Sequence, residues 1–515
     1  METLARKKIL IVGTHFDDTR LPVRRMNKLP QGMGTAFLAG AFNPSTCEVK
    51  CWSETASGPL TDPALLGWPD MIVLTGVSVC FDRMLHVSAM AKTLNHRVII
   101  AAGGPPVRIL KKYSENFFDY VCLGDVEQLA DVAREALGPR YAAAQVLPRM
   151  DLAYWIKRHG HIETSRNCNF ACTFCSLTGE GAKYGKYEFD YIREQFERVR
   201  ATGKKWTIHF IDNNFYGNDR EYFFKRLDVI DEYRRKGYFK YWSALLTGDF
   251  YLSEENLQRA ADTGCVGLFT GVESFDPKSL KAYNKHQNMK LPQVDLMRRS
   301  LNRGIAVFYG LFADVYNRSL KDIHEEIDFI VGNDELMLPS FVTLPIPLIG
   351  TPMFSGYLRE KRFFPKTKLR DLDGTTLCME PRDSMDSVVK FLGEFQDLIG
   401  YRKKVMKHGL GFYRRYRKVL NWERMAFCLA PNFLLTVNRL ATGDWFGAGS
   451  SKIKRTHISS TDPLDECYTP SIRIDSRYEN WFKPTMLTDA RGELNADLAE
   501  DLSPADTKVE AAAGV

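Results

Sequence analysis

The chain has 515 residues, 44% of them hydrophobic and 26% charged, with a formal net charge of +7. That length predicts two or three domains with ordinary buried cores. The small positive excess does not argue for a nucleic-acid partner, and no run approaches the ~18 uninterrupted apolar residues of a membrane span.

The first stretch, "ARKKILIVG", has a basic start and a short apolar run. "THFDDTR" follows at once with no small-residue cleavage site, so the stretch reads as a buried strand and not as an export signal. Strands are expected at "KKILIVG" (7–13), "CEVKCWS", "PDMIVLTGV" (69–77), "RVIIAAGG" (97–104) and "DYVCLG" (119–124). Helices are expected in "GTAFLAGAF" and "RMLHVSAMAKTL". Short β-branched strands alternating with helices predict a doubly wound, Rossmann-like sheet of the flavodoxin type over residues 1–140. Ligands of such sheets sit outside the carboxyl ends of the strands. Those ends carry small residues: Thr14, Gly76, Ser78, Gly103, Gly104 and Gly124.

Residues 141–160 read as a linker. The alternation then resumes for six units: "HIETS" (161–165), "WTIHFI" (206–211), "YWSALL" (241–246), "VGLFTG" (266–271), "IAVFYGLF" (305–312) and "SFVTLP" (340–345). Between them, Phe189, Ile192, Phe196 and Val199 share one helical face, as do Leu320, Ile323, Ile327 and Ile330. Six units predict a partial (β/α)6 barrel over 161–354. Residues 355–490 read as mainly helical and substrate-related, and 491–515 as a disordered tail.

Eleven cysteines, an odd number, do not suggest a disulfide framework; the expectation is a cytoplasmic protein with mostly buried thiols. Three are exceptional: Cys168, Cys172 and Cys175 lie within eight residues, just after the first barrel strand. Thiolates at this spacing can hold three irons of a cubane cluster and leave the fourth iron open. A structural zinc site would want a fourth ligand, and none is evident nearby. The other barrel strands also end in polar groups: Asp212-Asn213-Asn214, Thr247-Gly248-Asp249, Glu273-Ser274 and Asp314.

"CNFACTFC" resembles the signature of the radical S-adenosylmethionine (radical SAM) superfamily. The resemblance implies a [4Fe–4S] cluster on Cys168, Cys172 and Cys175, with SAM on the open iron, cleaved on one-electron reduction to a 5′-deoxyadenosyl radical. Phe174 matches the aromatic residue common inside the motif. Asn167 stands where glycine is frequent, and Asn also tolerates positive φ. By the same resemblance "FIDNNF" (210–215) places Asp212, Asn213 and Asn214 near SAM, and "GLFTGVESFD" (267–276) places Glu273 and Ser274 there. "PIPLIGTPMF" (345–354) resembles a segment of the branch that carries an N-terminal cobalamin-binding domain. Residues 1–140 resemble that domain, with Thr14, Gly76, Ser78, Gly103, Gly104 and Gly124 toward cobalamin. The Asp-x-His-x-x-Gly motif that gives cobalt a histidine is absent.

The resemblance implies a cobalamin-dependent C-methyltransferase acting on a small-molecule or lipid substrate, with flavodoxin or ferredoxin as electron donor and no nucleic acid. The alternatives are an oxidative cyclase with the same cofactors, and a non-catalytic iron–sulfur or zinc protein. The basic, aromatic run "FYRRYRKVLNW" reads first as a solvated helix face and second as a peripheral membrane contact.

Overall fold

Strand β1 (Lys7–Gly13) shows why the first domain forms: Ile9 to Val12 are all fully buried. Alternation sends Ile9 and Ile11 into one core and Leu10 and Val12 into another, so both faces of the strand are covered. The same holds for β3 (Met71–Thr75) and β4 (Ile99–Gly103). With β2 (Cys47–Ser53) and β5 (Tyr120–Cys122) they make a parallel sheet of order β2-β1-β3-β4-β5. The register aligns Gly13 with Ser53 and Thr75, Thr75 with Gly103, and Gly103 with Cys122, so the carboxyl ends form one edge. The computed structural model describes residues 5–16, 32–181, 183–396, 400–438, 457–461 and 468–503.

The second sheet is β6 (His159–Ile162), β7 (Thr207–Phe210), β8 (Tyr241–Leu246), β9 (Cys265–Glu273), β10 (Ala306–Phe312) and β11 (Phe341–Thr343). Its order is strictly sequential and every neighbouring pair is parallel, which is an open six-stranded β/α barrel. Ile192, Phe196 and Val199 pack inward from the helix Phe189–Ala201, the face expected from the sequence. Residues 141–160 are not free: Arg149 N donates to Ala36 O at 2.9 Å, and Met150 and Ala153 enter the barrel-side core.

Beyond the barrel lie the helices Met385–Gln396, Arg402–Tyr416 and Trp422–Asn438. Residues 468–503 are less helical than expected and return to the first domain. Tyr468 OH and Thr485 N donate to the buried Asp82, at 2.5 and 3.1 Å. The tail reading is corrected for 491–503: short helical turns bury Leu498 and Leu502, and Asp501 accepts from Lys112 N and Tyr113 N at 3.0 and 2.9 Å. Polar, Ala-rich composition hid two well-spaced leucines and one helix-capping carboxylate. Residues 504–515 lie outside the described residues. Among the described residues no helix is long and apolar enough to cross a membrane.

Candidate functional site

The cysteine loop leaves the carboxyl end of β6 through Asn167, whose φ of +61° is the left-handed turn that Asn accepts in place of glycine. The loop is held by backbone bonds on both sides. Thr173 N donates to Tyr283 O (3.0 Å), Met353 N to Thr173 O (2.9 Å) and Asn284 Nδ2 to Ala171 O (2.7 Å). Phe174 sits edge-on between Tyr283 and Phe312, at ring-centroid distances of 5.7 and 5.1 Å. Burial pushes the Cys168 thiol up to about 11, with Cys175 and Cys172 adding to the rise, and raises Cys175 in the same way. A coordinating cation reverses that, because a metal-bound thiol is deprotonated outright. Among the described residues no three His, Cys, Asp or Glu side chains are arranged to hold a single metal ion.

Two residues that the sequence reading missed face this loop. Gln287 Nε2 lies 3.6 Å from Cys172 Sγ, within reach of an N–H···S bond. Lys285 Nζ is buried, 2.7 Å from Glu273 Oε1 and 5.6 Å from the Phe174 ring centroid, and its charge favours the thiolate forms of Cys168 and Cys175. Glu273 is held at φ +61° where β9 slips register against β10 between Thr270 and Glu273. Such a strained backbone at a bulge marks a position that the surrounding fold over-determines. No local pattern betrays Lys285 or Gln287, which follow an ordinary capped helix, Pro277–Ala282. Only an explicit search for cations and amides beside the cysteines finds them.

The other expected SAM residues divide. Asp212 is fully buried and its Oδ1 is crowded with partners: it accepts from Thr164 Oγ1 and Ser165 Oγ at 2.5 Å each, with Arg226 Nη1 at 3.6 Å, while Thr164 N is shared between Oδ1 and Oδ2 at 3.2 Å. It is a latch in the wall, not a free ligand, because a buried carboxylate spends its oxygens on the donors nearest to it. Ser274 is likewise buried, donating to Glu326 Oε1 at 2.7 Å beside the Arg318–Glu326 pair. Asn214 donates to Asn169 Oδ1 at 2.7 Å and so ties the strand end to the cysteine loop; Asn213 is exposed. Glu273 alone of the set stands beside the loop with a charged partner.

A cavity of about 240 Å³ lies where the carboxyl edge of the first sheet faces the barrel. Gly103, Gly104 and Gly124 line it from the sheet, and Glu163, Arg166 and Ile211 from the barrel. Gly104 has φ +104°, which requires glycine. Thr14, Gly76 and Ser78 do not line it. Thr14 Oγ1 instead donates to Thr75 O, and a Cβ at Gly76 would stand 2.5 Å from that hydroxyl, so glycine there serves packing. Desolvation pushes Glu163 up to about 7 despite Arg166 Nε at 3.0 Å and Tyr187 OH at 2.9 Å. The carboxyl edge of such a sheet, between two domains, is where ligands of this fold bind; at about 240 Å³ the cleft is smaller than an ordinary small-molecule site of ~300–1,000 Å³ and has room for one part of a large cofactor. A second cavity of about 940 Å³ flanks the cysteine loop at Thr173, where Asp314 accepts from Tyr283 OH at 2.7 Å.

Residues 162–330 match the family model described as the radical SAM superfamily. The chain is similar to the hopanoid C-2 methylase of Rhodopseudomonas palustris (strain TIE-1), 23% identical over 353 residues, which is 65% of each protein. It is also similar to the bacteriochlorophyllide d C-12(1)-methyltransferase of Chlorobaculum tepidum, 26% identical over 68% of this chain and 78% of that one. The chain thus spans just under two thirds of the hopanoid methylase. Two solved structures share the fold. The cobalamin-dependent radical enzyme OxsB with aqua-cobalamin and S-adenosylmethionine bound has a TM-score of 0.58 at 16% identity, over 84% of this chain and 72% of that one. The methyltransferase TsrM from Kitasatospora setae, with tryptophan and a SAM analogue, has a TM-score of 0.54 at 16% identity, over 70% and 78%.

Proposed function

We infer, from the match of residues 162–330 to the radical SAM superfamily, that this chain is a cobalamin-dependent radical C-methyltransferase acting on an unactivated carbon of a small-molecule or lipid substrate. The observation that carries the reading is the position of the three-cysteine loop. It opens two residues after Arg166, which itself lines the glycine-edged cavity of the first domain. One cofactor site on each domain therefore shares one seam.

When bound, the [4Fe–4S] cluster and SAM supply a 5′-deoxyadenosyl radical, and cobalamin supplies the methyl group. The residues of the chain do the rest. Cys168, Cys172 and Cys175 would hold the three irons. Lys285 offsets part of the negative charge that three thiolates bring, and Gln287 donates to Cys172 Sγ. Asp212 and Asn214 fix the loop through Thr164, Ser165 and Asn169. Gly103, Gly104 and Gly124 keep the cobalamin side of the seam free of side chains. A reduced flavodoxin or ferredoxin would deliver the electron.

The test is anaerobic reconstitution of the full chain with iron, sulfide and hydroxocobalamin. The optical spectrum should show cluster and corrin together, and SAM with reductant should yield 5′-deoxyadenosine. A Cys168→Ala/Cys172→Ala/Cys175→Ala variant that still makes 5′-deoxyadenosine would overturn the radical reading. A wild type that retains no corrin would overturn the methyltransferase. Turnover without label transfer from methyl-labelled SAM would favour oxidative cyclisation.

A further inference from the structure

The helix Arg402–Tyr416 turns one face inward and leaves the other in an unusual state. Val405, His408, Phe412 and Tyr416 are buried, with Tyr416 OH donating to Glu335 O at 3.0 Å and His408 Nε2 to Asn333 O at 3.1 Å. The docked face is thus fully occupied. On the outer face Met406 and Leu410 are 59% and 50% exposed, and beyond the helix Trp422 is 79% exposed. Tyr413, Val419 and Phe427 are exposed as well. At 3.6 residues per turn, Met406, Leu410 and Tyr413 form a stripe, with Lys403, Lys407 and Arg414 along its edge.

Charge is concentrated in the same place. Residues 400–421 hold eight Lys and Arg and no Asp or Glu, more than the whole chain's net charge of +7. Lys404 pairs with Asp328, and Arg415 with Asp334 and Glu335. Among the described residues, Lys403, Lys407, Arg414, Arg417 and Lys418 make no ion pair. A stripe of large apolar side chains bordered by unpaired cations matches one kind of partner well. Its cations reach the phosphates and its apolar groups reach the boundary of the acyl chains. Nucleic acid would use the cations and stack on the aromatic rings, but it gives Met406 and Leu410 nothing to bury against.

We propose that this face, Lys403 to Trp422, is a docking surface for an anionic phospholipid bilayer. Its position defines what it does. Glu423 accepts from Tyr241 OH at 2.8 Å and Lys240 Nζ at 3.0 Å, at the start of β8, and the Arg424 guanidinium covers Gly304 just ahead of β10. The surface therefore lies toward the amino-terminal end of the barrel strands, opposite the cysteine loop. Binding there tethers the enzyme and leaves the seam between its domains uncovered. The inference does not depend on the cofactors, so its failure leaves the radical reading standing.

The test is co-sedimentation of the full chain with phosphatidylcholine vesicles, with or without about one-third phosphatidylglycerol, at low salt and at about 0.5 M salt. The chain should partition onto the anionic vesicles at low salt, and more weakly as salt rises. Lys403→Glu/Lys407→Glu/Arg414→Glu and Met406→Ser/Leu410→Ser/Trp422→Ser should each lower the partition about tenfold or more. Both change exposed side chains, so circular dichroism and thermal melting should match the wild type. Four results overturn the proposal: no binding to anionic vesicles, binding unchanged in both variants, a wild-type dimer that the apolar variant dissociates, or preferred binding to a short nucleic-acid duplex.

Discussion

Two buried ion pairs stand at the strand ends of the barrel, alike in chemistry and different in work. Asp212 and Arg226 are both fully buried, and the guanidinium lies 3.7 Å over the Phe215 ring. Every oxygen and most nitrogens there are bonded within the wall, to Thr164, Ser165 and the Phe215 carbonyl. Glu273 and Lys285 meet at 2.7 Å beside the thiols, on a strained backbone, and the ammonium acts on Cys168 and Cys175 as well as on its carboxylate. A pair whose hydrogen bonds close on themselves is structural. A pair with charge left over for a third group tunes that group.

The sharpest way to break this contrast is Asp212→Ala. It strands the Arg226 guanidinium in a fully buried site, so about 3–5 kcal/mol of stability should be lost. Thermal or urea unfolding measures it. If unfolding is unchanged while SAM binding falls, Asp212 is a ligand contact and the contrast is wrong. Lys285→Met should cost less stability, about 1–3 kcal/mol from the carboxylate it leaves unpaired. It should also lower the reduction potential of the reconstituted cluster, because a positive charge near the thiolates favours the more negative, reduced state. An unchanged potential would reduce Lys285 to a structural partner of Glu273.

What was legible in the sequence follows the same line. The strands β1, β3 and β4 were readable because burial on both faces leaves continuous apolar runs between turn residues. The cysteine loop was readable because its chemistry lies in eight consecutive residues. Asp212 lies at the expected strand end, but the direction of its side chain is set by Thr164 and Ser165 after another strand, with Arg226 of the helix Arg220–Arg235 behind them. Gln287 lies 115 residues from Cys172 and Thr485 lies 403 from Asp82. Neither spacing has a period to detect; only the closure of the fold brings those partners together.

A third carboxylate, Glu163 at the seam, extends the contrast to an intermediate case. Its partner Arg166 also serves Glu127 and Asp125, so Glu163 holds only part of the guanidinium, and burial wins. Its folded value of about 7 lies above its ordinary value of 4.5. A raised folded value adds stability that is complete below the unfolded value and lost as pH rises through the folded one. The wild type should therefore lose about 2–3 kcal/mol between pH 4.5 and 7 that Glu163→Gln does not lose. Parallel unfolding curves for the two across that window would place a charged Glu163 in a complete ion pair.

The smallest expected effect is the most specific. Gln287→Leu removes one amide N–H from Cys172 Sγ and keeps most of the side-chain volume, so stability should change by less than about 1 kcal/mol. An N–H···S bond to a bound cluster would favour its reduced state, so without it the potential should fall, in the same direction as for Lys285→Met but without its loss of stability. Gln287→Glu separates packing from donation. Its carboxylate cannot donate to sulfur when ionised, so it should lower the potential at least as far as leucine does. If leucine and glutamate both leave the potential at the wild-type value, Gln287 only fills space. The tuning of this cluster would then rest on Lys285 alone.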